Sequence, residues 1–104
     1  MRDWEVEIRR VIRSIPKGKA MSYSQVARAA GYPRHHRQVV QVLQSSGERL
    51  PWHRVVGAGG TIRLKRAGGL EQRTRLEMEG VVFRGRRVDM AVCGAAEAPS
   101  KPSR

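Results

Sequence analysis

The sequence predicts a mainly α-helical domain built on a helix-turn-helix, winged-helix-like, with only short β elements. Three observations predict it. Apolar residues recur at helical spacing in separate segments along the chain. A short helix pattern, a turn with Gly31 and Pro33, and a second helix pattern with Arg and Gln outward follow one another, which is the helix-turn-helix layout. Strand-like alternation is confined to a few residues at a time.

Asp3 reads as the cap of a first helix, with Trp4, Ile8, Val11, Ile12 and Ile15 on one face. Arg9, Arg10 and Arg13 take the other face, and Pro16 with Gly18 ends it. Ser22 followed three residues later by Gln25 fits a capping box for the second helix, and Gly31 fits its stop. The third helix is expected over 34–44, with Val39, Val40 and Leu43 inward. Residues 45–49 read as a polar loop, and 50–56 as too irregular for a helix or a strand. Gly57 to Gly60 is a turn, and 61–64 alternates like one short strand. Gly68-Gly69 opens a last helix over 70–79, with Leu70, Leu76 and Met78 as its apolar contacts and Gly80 as its stop. Val81-Val82-Phe83 and Val88-Asp89-Met90 pair as a small hairpin. The expected domain is 1–93, and 94–104, rich in Ala, Pro, Ser and Lys without periodicity, is a disordered tail.

At 104 residues there is room for one small domain. No apolar run approaches the roughly 20 residues that span a bilayer, and the charged start shows no secretory pattern. The single cysteine, Cys93, excludes an internal disulfide and gives no zinc spacing. The expected setting is a reducing, cytoplasmic one. The net charge is +12 and uneven: 9–66 holds thirteen Lys or Arg and one acid, Glu48. Such a block repels itself in the folded state, and a polyanion relieves the repulsion; nucleic acid is the commonest. No segment joins a basic face to one rich in Trp, Phe and Leu, so a membrane surface is not expected. His35 and His36 are adjacent and cannot face one ion from a helix, so no metal and no cofactor are expected.

The segment Leu50-Pro51-Trp52-His53-Arg54-Val55-Val56 resembles the Pro-Cys-His-Arg-Val signature of the O6-alkylguanine-DNA alkyltransferases, with tryptophan at the cysteine position. That replacement resembles the alkyltransferase-like proteins. The likeness runs from about Val11 to Val88 and includes Ile15-Pro16-Lys17-Gly18, Ser22-Tyr23, the Pro33 to Val40 helix and the stretch from Gly68-Gly69-Leu70 to Glu77-Met78-Glu79-Gly80. It implies the fold of the alkyltransferase C-terminal domain. Alkyl transfer needs a cysteine thiolate, and the Trp52 indole offers only a donor. The expectation is therefore binding without turnover, with no catalytic residue.

The resemblance also implies roles. Tyr23 crowds the phosphate of the target nucleotide and helps rotate it outward, and Arg37 enters the stack and fills the space. Trp52, Val55 and Arg66 form the lesion pocket, Val55 through backbone groups that read the guanine edge. His53 and Glu79 are remnants of the relay that activates the enzymes' cysteine. The implied partners are duplex DNA containing O6-alkylguanine and nucleotide excision repair proteins (UvrA-type in a bacterium, where the protein would be nucleoid-associated), with the protein a monomer. His35, His36, Gln38 and Val40 stand where the family often has alanine or glycine, and the enzymes' asparagine-proline pair before the signature is missing. The rival readings are a sequence-specific helix-turn-helix regulator and a residual enzyme using Cys93 or His53; no nucleophile–base pair accompanies the signature to favour the latter.

Overall fold

The computed structural model describes residues 2–95. Three helices form one half: α1 (Asp3–Ser14), α2 (Tyr23–Ala29) and α3 (His36–Ser46). Their apolar faces meet in one cluster, with Ile8, Val11, Ile12 and Ile15 from α1, Val26 and Ala27 from α2, and Val39 and Val42 from α3. Burial of such side chains stabilises by about 1.5–3 kcal/mol each. The capping box is present: Ser22 Oγ accepts from Gln25 N–H at 3.1 Å, and Gln25 Oε1 accepts from Ser22 N–H at 2.8 Å. The second helix closes as expected, with Tyr32 N–H on Ala27 O at 2.9 Å and Gly31 N–H on Arg28 O at 3.0 Å.

A second half is built on α4 (Arg66–Met78), the hairpin β3 (Phe83–Arg84) and β4 (Arg87–Val88), and the short α5 (Met90–Cys93). Its core is Ala20, Val56, Leu76, Val81, Val88 and Cys93. The halves are joined by a two-residue parallel pair, β1 (Met21–Ser22) with β2 (Val55–Val56). Successive strand residues face opposite ways, so Val55 enters the first cluster and Val56 the second. Among the described residues no helix is long and apolar enough to cross a membrane.

Several expectations need correction. The α1 cap is Arg2, the last extended residue, whose N–H donates to Glu5 Oε1 at 3.1 Å; Asp3 is already helical. The third helix starts at His36 and absorbs Ser45 and Ser46; its buried positions include Val42, while Val40 and Leu43 are only half-buried. Residues 50–56 resolve into a tight turn at Trp52–Arg54 and strand β2. In 61–64 there is no strand, only a bridge from Thr61 to Arg87.

Helix α4 begins at Arg66, with Gly68 and Gly69 inside it. A Cβ at Gly69 would lie 2.5 Å from Leu64 O, so the helix approaches the preceding loop closely only because that atom is missing. Gln72 and Leu76, one turn apart, form its inward stripe, which turns Leu70 and Met78 outward at 69% and 82% exposure. Val81, Val82 and Met90 lie outside the hairpin's strands, and Met90 opens α5. The first residues of the expected tail are tied down. Ala95 N–H donates to Ala20 O at 2.8 Å, and Gly94 bridges Ala20. The rest of the expected tail, 96–104, lies outside the described residues.

Candidate nucleic-acid interface

The signature segment folds as a tight turn that separates neighbouring side chains. Trp52 N–H donates to Leu50 O at 2.7 Å, and Val55 N–H closes the turn on Trp52 O. His53 is thereby buried while Trp52 stands half-exposed beside it, their rings edge to face at 6.0 Å and 83°.

Trp52 forms one wall of a cavity of about 280 Å³, near the lower end for small-ligand sites. Tyr23 at the start of α2, Val40, Leu43 and Gln44 of α3, and Leu64 of the loop before α4 also line it, with Gly47, Glu48, Val55 and Gln72. The capping box opens α2 at Tyr23 and so sets where that phenol sits. Burial pushes the Tyr23 hydroxyl above the ordinary phenol pKa, against the pull of the Arg63 charge nearby.

The Trp52 ring is clasped by an arginine. The Arg75 guanidinium lies 5.2 Å from its ring centroid, a cation–π distance. Arg75 donates to Glu48 Oε1 at 3.1 Å and to Glu71 Oε2 at 2.6 Å. Gln72 Nε2 donates to His53 O at 3.1 Å and Val55 O at 2.8 Å, bracing the turn from α4.

His53 and Glu79 meet behind the wall. Glu79 Oε2 accepts from His53 Nε2 at 2.9 Å and from Arg54 Nη2 at 2.8 Å, and Oε1 accepts from Arg54 Nε at 3.0 Å. Arg54 Nη1 also donates to Ile15 O at 2.9 Å, tying the signature to the end of α1. The Arg54 guanidinium, and after it the His53 ring, hold the Glu79 carboxyl down to about 2. Gly80 ends α4 with Val81 N–H on Leu76 O at 3.0 Å and so delivers Glu79 to this network.

The structure thus brings Tyr23, Trp52 and Val55 to one cavity and His53 with Glu79 behind it. Arg37 is exposed on the first turn of α3, outside the cavity. Arg66, expected in the pocket, is exposed and outside the lining, and Leu64 takes that edge. Arg66 is the only described non-glycine residue with positive φ, at 57°, a conformation that costs of order 1–3 kcal/mol. The Val55 N–H and C=O, expected to read a base edge, are engaged by Trp52 and Gln72. Sequence reasoning missed Leu64, Gln72 and Arg75. Glu48, alone among the basic residues, and the Glu71–Arg75 spacing of four were the available signals.

Residues 3–81 match the family described as "6-O-methylguanine DNA methyltransferase, DNA binding domain". The chain belongs to this family. Within it, the chain is similar to the DNA base-flipping protein of Vibrio parahaemolyticus, 42% identical over 78 residues that cover 73% of this chain and 78% of that one. It is similar to Alkyltransferase-like protein 1 of Schizosaccharomyces pombe, 36% identical over 85 residues and covering 78% and 79% of the two chains. Among solved structures, the methyltransferase-family fold here superposes on S. pombe Atl1 in complex with damaged DNA containing O6-carboxymethylguanine. That match has a TM-score of 0.75 and 31% identity, and covers 91% of this chain and 98% of that one. The Mycobacterium tuberculosis OGT in complex with DNA gives a TM-score of 0.67 at 28% identity, over 76% of this chain and 50% of that one.

Proposed function

We propose that the chain is a non-enzymatic receptor for O6-alkylguanine in duplex DNA, which extrudes the damaged nucleotide, holds it, and directs it to nucleotide excision repair. One observation carries the reading. Trp52 stands in the cavity wall at the position where the resembled signature has its thiol, and Cys93 lies 4% exposed in the other core cluster. Relatives named as a base-flipping protein and an alkyltransferase-like protein support it.

Extruding a base costs a few kcal/mol, and less when alkylation has weakened its pairing. Stacking an extruded base on an aromatic ring returns about 1–3 kcal/mol. The indole of Trp52 offers that surface, and the Arg75 clasp holds its plane. Tyr23 at the cavity edge crowds the rotating phosphate, and Arg37 on exposed α3 takes the vacated space. Arg66 would close over the base only by moving from its present place. A single extruded nucleotide needs one protein molecule, and the receptor acts as a monomer.

The test is binding to matched duplexes carrying guanine or O6-methylguanine, followed by mass analysis of protein and DNA. Preference for the lesion with both masses unchanged is expected. A methyl group transferred to protein or lost from DNA would mean an enzyme. Equal affinity, with discrimination among undamaged sequences instead, would mean a sequence-reading regulator.

A further inference from the structure

The cavity does not account for the hairpin β3–β4. Arg84, Arg86 and Arg87 are all exposed on it, and its register sets Arg84 directly opposite Arg87. Like charges directly across a strand pair destabilise it. Arg84 reaches an acid, Asp89 Oδ2, at 3.9 Å; among the described residues Arg86 and Arg87 have no ion pair. Arg63 and Lys65 of the adjoining loop and Arg66 at the start of α4, also exposed, add to the basic surface.

The hairpin is firmly braced. Arg73 of α4 lays its guanidinium 4.2 Å from the Phe83 ring centroid and donates to Gly85 O in the turn at 3.0 Å. On the other side Thr61 bridges Arg87, and Gly60 sits against β4 so closely that a Cβ there would fall 2.3 Å from Val88 O. A turn held in this way presents its cations from a backbone already ordered, so that binding has only their side chains left to order.

Its place relative to the cavity follows from the same contacts. The loop that bridges β4 at Thr61 also sends Leu64 into the cavity lining and carries Arg63 beside Tyr23. Helix α3, with Arg37, lines the cavity through Val40, Leu43 and Gln44. The cavity is thus bordered by α3 and by the loop that is bridged to the hairpin, and both carry cations.

We propose that the hairpin is a second grip on the DNA backbone, besides α3, with Arg86 and Arg87 binding phosphates. The inference rests on the reading of the chain as a duplex binder. A guanidinium can bind a phosphate bidentately, and a contact made to phosphate reads no base. The grip therefore adds equally to damaged and undamaged duplex, and it holds the strand beside the extruded nucleotide. Binding anions also relieves the Arg84–Arg87 repulsion.

The experiment measures affinity for the guanine and O6-methylguanine duplexes between roughly 50 and 300 mM salt, using wild type, R86A/R87A and R86K/R87K. Thermal melting no lower than that of the wild type serves as the folding check. For R86A/R87A the log–log salt slope is expected to fall by about two, and affinity to fall roughly tenfold or more for both duplexes with their ratio kept. The lysine pair should recover the slope. A wild type that binds while R86A/R87A keeps its slope overturns this inference alone, and leaves the patch to an acidic protein partner. A loss confined to the lesion duplex overturns it as well. A wild type that binds neither duplex overturns the functional reading and this inference with it.

Discussion

Glu79 shows how one carboxylate can hold several parts of a fold together. It accepts from both His53 and Arg54, and Arg54 continues to Ile15 O, so one carboxylate pins the signature turn between α1 and the end of α4. Its folded pKa of about 2 lies below the ordinary 4.5. The stability it contributes is therefore complete above about pH 4.5 and is lost as pH falls towards 2. Glu79→Gln should cost about 2–3 kcal/mol at pH 7, below the range for fully buried pairs, because the side chains keep 11–16% of their surface. Urea unfolding at neutral and acid pH checks this, since the gap between wild type and variant should close below about pH 4. A constant gap would mean that shape, and not charge, is what Glu79 supplies. Trp52→Ala, on the proposed function, should reduce lesion affinity by about 1–3 kcal/mol, and do less to undamaged duplex in the same anisotropy titration.

At the scale of elements, the local devices were legible and the distant ones were not. The faces of α1 and the capping box and Gly31 stop of α2 are written within a few consecutive residues, and the structure has them. Strands β1 and β2 pair only because two helical units pack on either side of them, so nothing in Val55-Val56 alone marks a parallel partner for Met21-Ser22. The start of α4 was misread because Gly68-Gly69 looks like a helix opener, whereas Gly69 permits the approach to Leu64. The same gap explains the site. Tyr23, Trp52 and Val55 lie in local motifs, but Gln72 reaches the cavity, and Arg75 the Trp52 ring, only through the orientation of α4. Two substitutions test these devices by thermal melting. Ser22→Ala removes the α2 cap and should cost about 1 kcal/mol. Gly60→Ala, at φ 90° and against Val88 O, should cost more than that, about 2 kcal/mol.

For the whole molecule, the two core clusters share one seam at Ala20 to Ser22, and Ala95 closes it from the far end of the described chain. A chain ending at Ala95 should be more stable than one ending at Cys93 by about 1–2 kcal/mol, the worth of the lost backbone pairing; chemical denaturation of the two truncations measures it. The wider consequence concerns Cys93. Its sulfur is packed in the second cluster against Val82 N at 3.2 Å, away from the cavity lining. On the proposed function, an acceptor thiol would become a thioether at each event and remove that molecule from use. On that same proposal, with tryptophan in the wall and the thiol shut inside, every copy would leave an encounter chemically intact. The number of copies a cell needs then follows the lesions present at one moment, not all those formed over its lifetime.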